Sequence, residues 1–135
     1  LDVNIILYCC WAAECGVVLD AAAITGIVDG TSAWRRQVIQ PLRAVRRALR
    51  GGLAPVAVHT GEILRDDVKR LELQAERLLQ DALWRAFPLP VPAGGGDAGA
   101  LARANLACYG RLAEADTAGE DFGVLADALS GVSPS

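Results

Sequence analysis

The sequence predicts an all-α fold, a single-domain helical bundle of about six helices, and three observations predict it. Alanine and leucine supply 42 of the 135 residues while aromatic residues make up 5% of the chain, a balance that favours helix over a sheet built from Val, Ile, Thr and rings. Leu64, Val68, Leu71, Ala75, Leu78 and Ala82 recur at spacings of 4, 3, 4, 3 and 4, the a/d pattern of a helix packed along another helix. Capping and stopping residues punctuate the chain at helical lengths.

Each element follows from its residues. Asp2 is placed as an N-cap and Gly16 as a stop for a first helix over residues 3 to 15. Its apolar character runs nearly all round, through Ile5, Ile6, Leu7, Cys9, Cys10 and Trp11, so it is expected at the centre of the bundle, flanked by the third and fourth helices. Asp20 caps a short second helix, "AAAITGIVDG", that Gly30 is expected to end. Thr31 or Ser32 caps the third, which runs to Gly51 and Gly52. Pro41 lies inside it and removes the amide that would bond Gln37, which predicts a kink over residues 37 to 41. The stretch "LAPVAVHTG" reads as a loop or frayed approach. The fourth helix is expected from Glu62 to Phe87, with Asp66–Arg70, Arg77–Asp81 and Asp81–Arg85 pairs at i, i+4 on its wet side. "PLPVPAGGGD" cannot be helix. Asp97 caps a fifth helix to about Ala115, and a sixth is expected over residues 119 to 130, before the "SGVSPS" tail. On this reading residues 1–87 form the main bundle, 88–97 a Pro/Gly linker, and 98–135 a C-terminal helical hairpin and tail.

Charge and cysteine usage narrow the function classes. The net charge of -3 excludes a chain that is basic throughout, so any nucleic-acid surface has to be local. Cys9, Cys10, Cys15 and Cys108 give neither a C-x-x-C metal or redox spacing nor a spread disulfide framework, and they point to a reducing cytoplasm. The longest apolar run, "IILYCCWAA", is far short of the roughly 20 residues that span a bilayer, so no membrane span is expected. The chain starts at Leu1 and contains no Met, and further sequence is expected ahead of Leu1.

The stretch "WRRQVIQPLRAVRRALRGG", residues 34 to 52, holds six of the thirteen basic side chains. At about 100° per residue, Arg36, Arg43, Arg47 and Arg50 fall within about 60° of one another, opposite Trp34, Val38, Leu42, Val45 and Leu49. Such a stripe suits an acidic protein surface, phosphates or an anionic membrane surface. It also suits a merely solvated face, because Arg outnumbers Lys twelve to one in this chain. The acidic stretch Glu114 to Asp127, with no basic residue, is a further candidate to dock on it. Base readout is poorly provided for: no aromatic is interleaved to stack a base, and only Gln37 and Gln40 stand ready to pair with adenine. An acidic protein partner or self-association through the a/d seam is therefore expected ahead of nonspecific nucleic-acid binding.

Catalytic and metal constellations are weak. Glu72 and Glu76 stand one helical turn apart, a spacing found in carboxylate-bridged bundles, but such sites add a Glu-x-x-His motif. His59 is the sole histidine and lacks it, so no metal is expected. The same single histidine leaves a Ser/His/Asp or Cys/His engine without a supporting signature. "AGGGDAG" shares only its glycines with a phosphate loop. No catalytic residue and no cofactor is assigned. The alternative kept open is an enzyme or small-ligand binder with an interhelical pocket around Glu72 and Glu76 with Arg35 or Arg43.

Three blocks, "DVNIILYCCW", "WRRQVIQPLRAVRRAL" and "VKRLELQAERLLQ", together resemble an uncharacterised family of small helical proteobacterial proteins, a domain of unknown function. The resemblance covers about residues 1 to 87, with "ANLACYG" as a weaker fourth point. It implies a helical bacterial protein with a further helical segment ahead of the DVN block, and it brings no activity, cofactor or catalytic residue. Trp34, Arg35, Pro41, Leu42, Arg43, Glu72 and Glu76 fall on the family's motif positions and are the first places to look for a site.

Overall fold

The computed structural model describes residues 1–92 and 96–113. Every regular element among them is helical: α1 (Val3–Glu14), α2 (Ala21–Trp34), a π-helical turn (Arg35–Ile39), α3 (Gln40–Ala48), α4 (Val58–Ala86) and α5 (Ala98–Leu112). The all-α class stands. Because α2, the π turn and α3 follow one another without a break, the described residues hold four continuous helical runs rather than six. The expected sixth helix over 119 to 130, and the acidic stretch from Glu114, lie outside the described residues.

The chain divides into two compact units, one of Leu1–Asp29 with the chain from Leu83, the other of Gly30–Ala82. This division does not follow the Pro/Gly segment, because α5 packs on α1 within the first unit. Asp2 caps α1 as expected, its Oδ1 accepting from the amides of Asn4 and Ile5 at 2.8 and 3.4 Å. Gly16 ends α1 at φ +74, a left-handed conformation that a Cβ would strain. Of α1, Ile5, Tyr8, Cys9, Cys10, Ala12 and Ala13 are buried, while Val3, Leu7 and Trp11 form an exposed stripe.

The polar centre of this unit is Asn105 on α5, fully buried. Its Oδ1 accepts from the Leu19 amide at 2.7 Å. Its Nδ2 donates to the carbonyls of Cys9 and Val17 at 3.1 and 3.0 Å. One side chain thus ties α5 to α1 and to the connection after it, with acceptor and both donor hydrogens engaged. Tyr109, one turn on, accepts from the Asp2 amide at 3.0 Å. Tyr8 donates to the Phe87 carbonyl at 2.6 Å, and Trp84 stands edge-on to both Tyr8 and Trp11.

Two helix boundaries differ from the expected ones. Gly30 does not stop α2, because Ile24, Ile27 and Thr31 are buried at i, i+3, i+7 and the burying stripe continues through it. Gly30 costs the helix only about 1 kcal/mol relative to Ala. The irregularity expected from Pro41 takes the form of the π turn: the Gln40 amide donates to the Arg35 carbonyl, five residues back. Widening one turn separates the proline ring from the carbonyl it would otherwise strike. α4 begins four residues earlier than expected, at Val58.

The a/d seam is the third correction. Val68, Ala75 and Leu79 are buried together with Glu72, whereas Leu64, Leu71 and Leu78 stay 52%, 51% and 50% exposed. The buried stripe is rotated from the seam by about one residue, because the facing helix offers arginines to Glu72 and draws that side of α4 inward. On the wet side Arg70 pairs with Asp67, not Asp66.

Candidate functional site

The second unit brings α3 and α4 together through charge. Arg43 and Arg46 stand three residues apart on α3, and Glu72 and Glu76 four apart on α4, so each pair shares one helix face. Arg43 Nε donates to Glu72 Oε1 at 3.0 Å, and its Nη2 to Glu76 Oε1 at 2.6 Å. Arg46 Nε donates to Glu72 Oε2 at 2.6 Å, with Nη2 at 3.4 Å from Oε1. Glu72 therefore accepts from two guanidinium groups, Arg46 reaching both of its oxygens and Arg43 one, and Arg43 bridges both carboxylates. Two positive and two negative charges close on themselves.

Burial pushes the Glu72 carboxyl up, but the hydrogen bonds from Arg46 and then Arg43 outweigh it and hold the group below the ordinary carboxylate range. Glu76 raises Arg43 above the usual guanidinium value, with a smaller contribution from Glu72. A carboxylate held ionised in this way is a poor candidate for general acid or base work, which needs a group poised near the working pH. The two guanidinium groups also repel a cation from the Glu72–Glu76 pair, and the described residues contain no group of three or more His, Cys, Asp or Glu side chains that could hold a metal ion.

The other sequence candidates are dispersed around this clamp. Trp34 donates its indole Nε1–H to the Ala75 carbonyl at 2.9 Å, so it anchors the end of α2 to α4 while its ring stays 37% exposed. Arg35 is half-buried, and Pro41 is exposed just past the π turn. Of the arginine stripe, Arg43 is half-buried in the clamp, and Arg36, Arg47 and Arg50 are exposed. Arg36 donates to the Ser32 hydroxyl at 3.1 Å. Arg47 and Arg50 have no ion-pair partner among the described residues. Arg46 is the member that sequence reasoning missed. Its signal was the i, i+3 relation to Arg43, matching the i, i+4 relation of the two glutamates.

Cysteine chemistry finds little support in the first unit. Burial, then the neighbouring Cys10 and Cys108, push the Cys9 thiol up to about 12, so it is a buried hydrophobe, not a ready nucleophile. No helix among the described residues is long and apolar enough to cross a membrane.

A family model described as "Protein of unknown function (DUF2390)" matches residues 1–83, a span that holds α1 and the whole Arg43–Arg46–Glu72–Glu76 clamp. No curated protein and no solved structure matches the chain.

Proposed function

The chain belongs to this family of proteins of unknown function, and from that premise we propose that it is a non-catalytic interaction module of the bacterial cytoplasm whose arginine surface takes an acidic protein partner. One observation carries the reading. The acidic residues that α4 lays against the arginine helix are taken up by Arg43 and Arg46, while Arg36, Arg47 and Arg50 stay on the surface with no carboxylate partner among the described residues. The surplus positive charge is thus held on a helix that the clamp fixes, where ordered guanidinium groups favour bidentate contacts with carboxylates. Four free cysteines suit a reducing compartment. Self-association would use the α4 seam, apart from the arginines.

The rival, a small ligand held by Glu72 and Glu76 with Arg35 or Arg43, draws on one observation: Glu72 is buried beside two arginines. A charged ligand there must displace an ion pair that already satisfies both carboxylate oxygens, which weighs against it. The test replaces Arg36, Arg47 and Arg50 with Gln and leaves the clamp intact. Binding of a polyglutamate peptide, retention on random duplex DNA and recovery of partners are compared at about 50 and 200 mM salt. The reading expects peptide and partner binding to fall several-fold in the variant and with added salt, with little DNA retention in either protein. A variant that keeps every partner and the same salt dependence reduces the arginines to a solvated face. Strong DNA retention lost in the variant favours a nucleic-acid surface instead.

A further inference from the structure

Leu64, Leu71 and Leu78 are the half of the α4 seam that the chain does not bury. Seven residues apart, they lie almost one above another, drifting about 20° per heptad, and they extend along about 21 Å of helix. Trp34 adds to this line, since its indole is bonded to Ala75, the residue that follows Leu71 by four and precedes Leu78 by three. All four side chains belong to the second unit. Three half-exposed leucines and a partly exposed tryptophan thus leave a continuous apolar line on one side of α4.

We propose that this line is the interface between two copies of the chain, paired antiparallel about a two-fold axis that passes beside Leu71. The spacing is symmetric about that residue. In the antiparallel arrangement Leu71 meets Leu71 of the second copy, and Leu64 and Leu78 meet each other twice, so the surface is complementary to itself as an isologous interface requires. The polar flank agrees. Asp67 lies four residues before Leu71 and Gln74 three after it, on the same side of the leucine line. Pairing brings the Gln74 amide of each copy beside the Asp67 carboxylate of the other and sets no like charges directly across from one another. Arg70, already paired with Asp67 in its own chain, neutralises that flank further. The seam then has two occupants: the chain's own helix takes Val68 and Ala75, and the second copy takes the leucines.

This surface is separate from the arginines, so the two readings fail separately. The full chain is measured by light scattering after size exclusion, and a mass of about 28 kDa, twice the 14.2 kDa chain, is expected. Leu71→Glu, at a half-exposed position that tolerates a polar side chain in the monomer, is expected to give the single-chain mass with an unchanged helical circular dichroism spectrum. The Arg36, Arg47 and Arg50 to Gln variant keeps the doubled mass. Register is read by mild oxidation: Leu71→Cys crosslinks to itself, whereas Leu64→Cys and Leu78→Cys crosslink to each other when mixed and not when alone. A single-chain mass at all concentrations, a doubled mass surviving Leu71→Glu, or self-crosslinking of Leu64→Cys as fast as Leu71→Cys overturns the proposal.

Discussion

Arg43 reaches from α3 to Glu72 on α4, its Nε 3.0 Å from Oε1, while another nitrogen of the same guanidinium bonds Glu76. A lysine cannot make this contact, because a single ammonium lacks the planar fork that addresses two carboxylates at once. The pair fixes how α3 lies on α4 and therefore where the neighbouring arginines point.

Glu72 is expected to matter more to stability than Glu76. It is the more buried of the two and accepts from both arginines, so Glu72→Ala leaves Arg46 without its acceptor and Arg43 with Glu76 alone, and is expected to cost about 1–3 kcal/mol. Glu76→Ala, at the wetter end of the clamp, is expected to cost about 1 kcal/mol or less. Urea denaturation of both variants checks the order, and equal losses would remove Glu72 from the centre of the clamp.

The clamp also predicts a direction of pH dependence. The Glu72 carboxyl is depressed in the folded chain, so its contribution is fully present above the unfolded value near 4.3 and is lost as pH falls through the lower folded value. The wild type is expected to lose stability more steeply than Glu72→Gln below about pH 4.3. Thermal unfolding followed between pH 3 and 7 tests this, and parallel curves for the two proteins would contradict it.

Asn105 is the comparable residue of the first unit. Asn105→Ala removes one acceptor and two donors from a fully buried position and strands the Leu19 amide, with an expected loss of about 3 kcal/mol. Asn105→Asp is expected to be no better, since it keeps the acceptor but brings a buried charge against two carbonyl oxygens. A loss under about 0.5 kcal/mol for Asn105→Ala would show that water replaces the side chain without penalty.

Two glycines separate conformational strain from crowding. Gly16 and Gly52 both have positive φ, at +74° and +93°, but a Cβ on Gly16 meets nothing within 4 Å whereas one on Gly52 stands 2.8 Å from Val58 Cγ2. Gly16→Ala is expected to cost about 1 kcal/mol from backbone conformation alone. Gly52→Ala should cost more, because Val58 at the start of α4 has to move. Equal melting temperatures for the two variants would refute the distinction.

Much of the fold was legible where one residue decides one feature. Asp2, Asp20 and Asp97 were visible as caps, and each accepts a bond from the first turn of its helix. Gly16, Gly51 and Gly52 ended helices as read. Gly30 was misleading because its φ is not positive and burial on both sides outweighs its weak helix propensity. The seam on α4 was legible as a periodicity but not as a direction, since spacing alone does not tell which side of an apolar line turns inward. Glu72 settled it: an acid at a burying position is read as wet from sequence, and only its two arginine partners make burial acceptable. Of the candidate site, Arg43, Glu72 and Glu76 were singled out without their mutual geometry, and Arg46 was overlooked because the wheel sorted the arginines by one common face.

The π turn at Arg35–Ile39 has a consequence for how this chain tolerates changes of length. A π turn holds one residue more than the α-helical turn it replaces, so it takes up that residue while the helix after it keeps nearly the direction and phase of the helix before it. Deleting a single residue from this turn would close it into ordinary α-helix and bring the proline ring that follows back against a carbonyl one turn before it. By contrast, adding or removing one residue in the plain α-helix between Gln40 and Arg43 would turn Arg43 and Arg46 by about 100° off Glu72 and Glu76 while Trp34 stayed on Ala75. The π turn acts as a gear with one tooth to spare. A change of length in the connection between α3 and α4 leaves the phase of α3 alone, whereas a one-residue change within α3 re-aims the arginine surface.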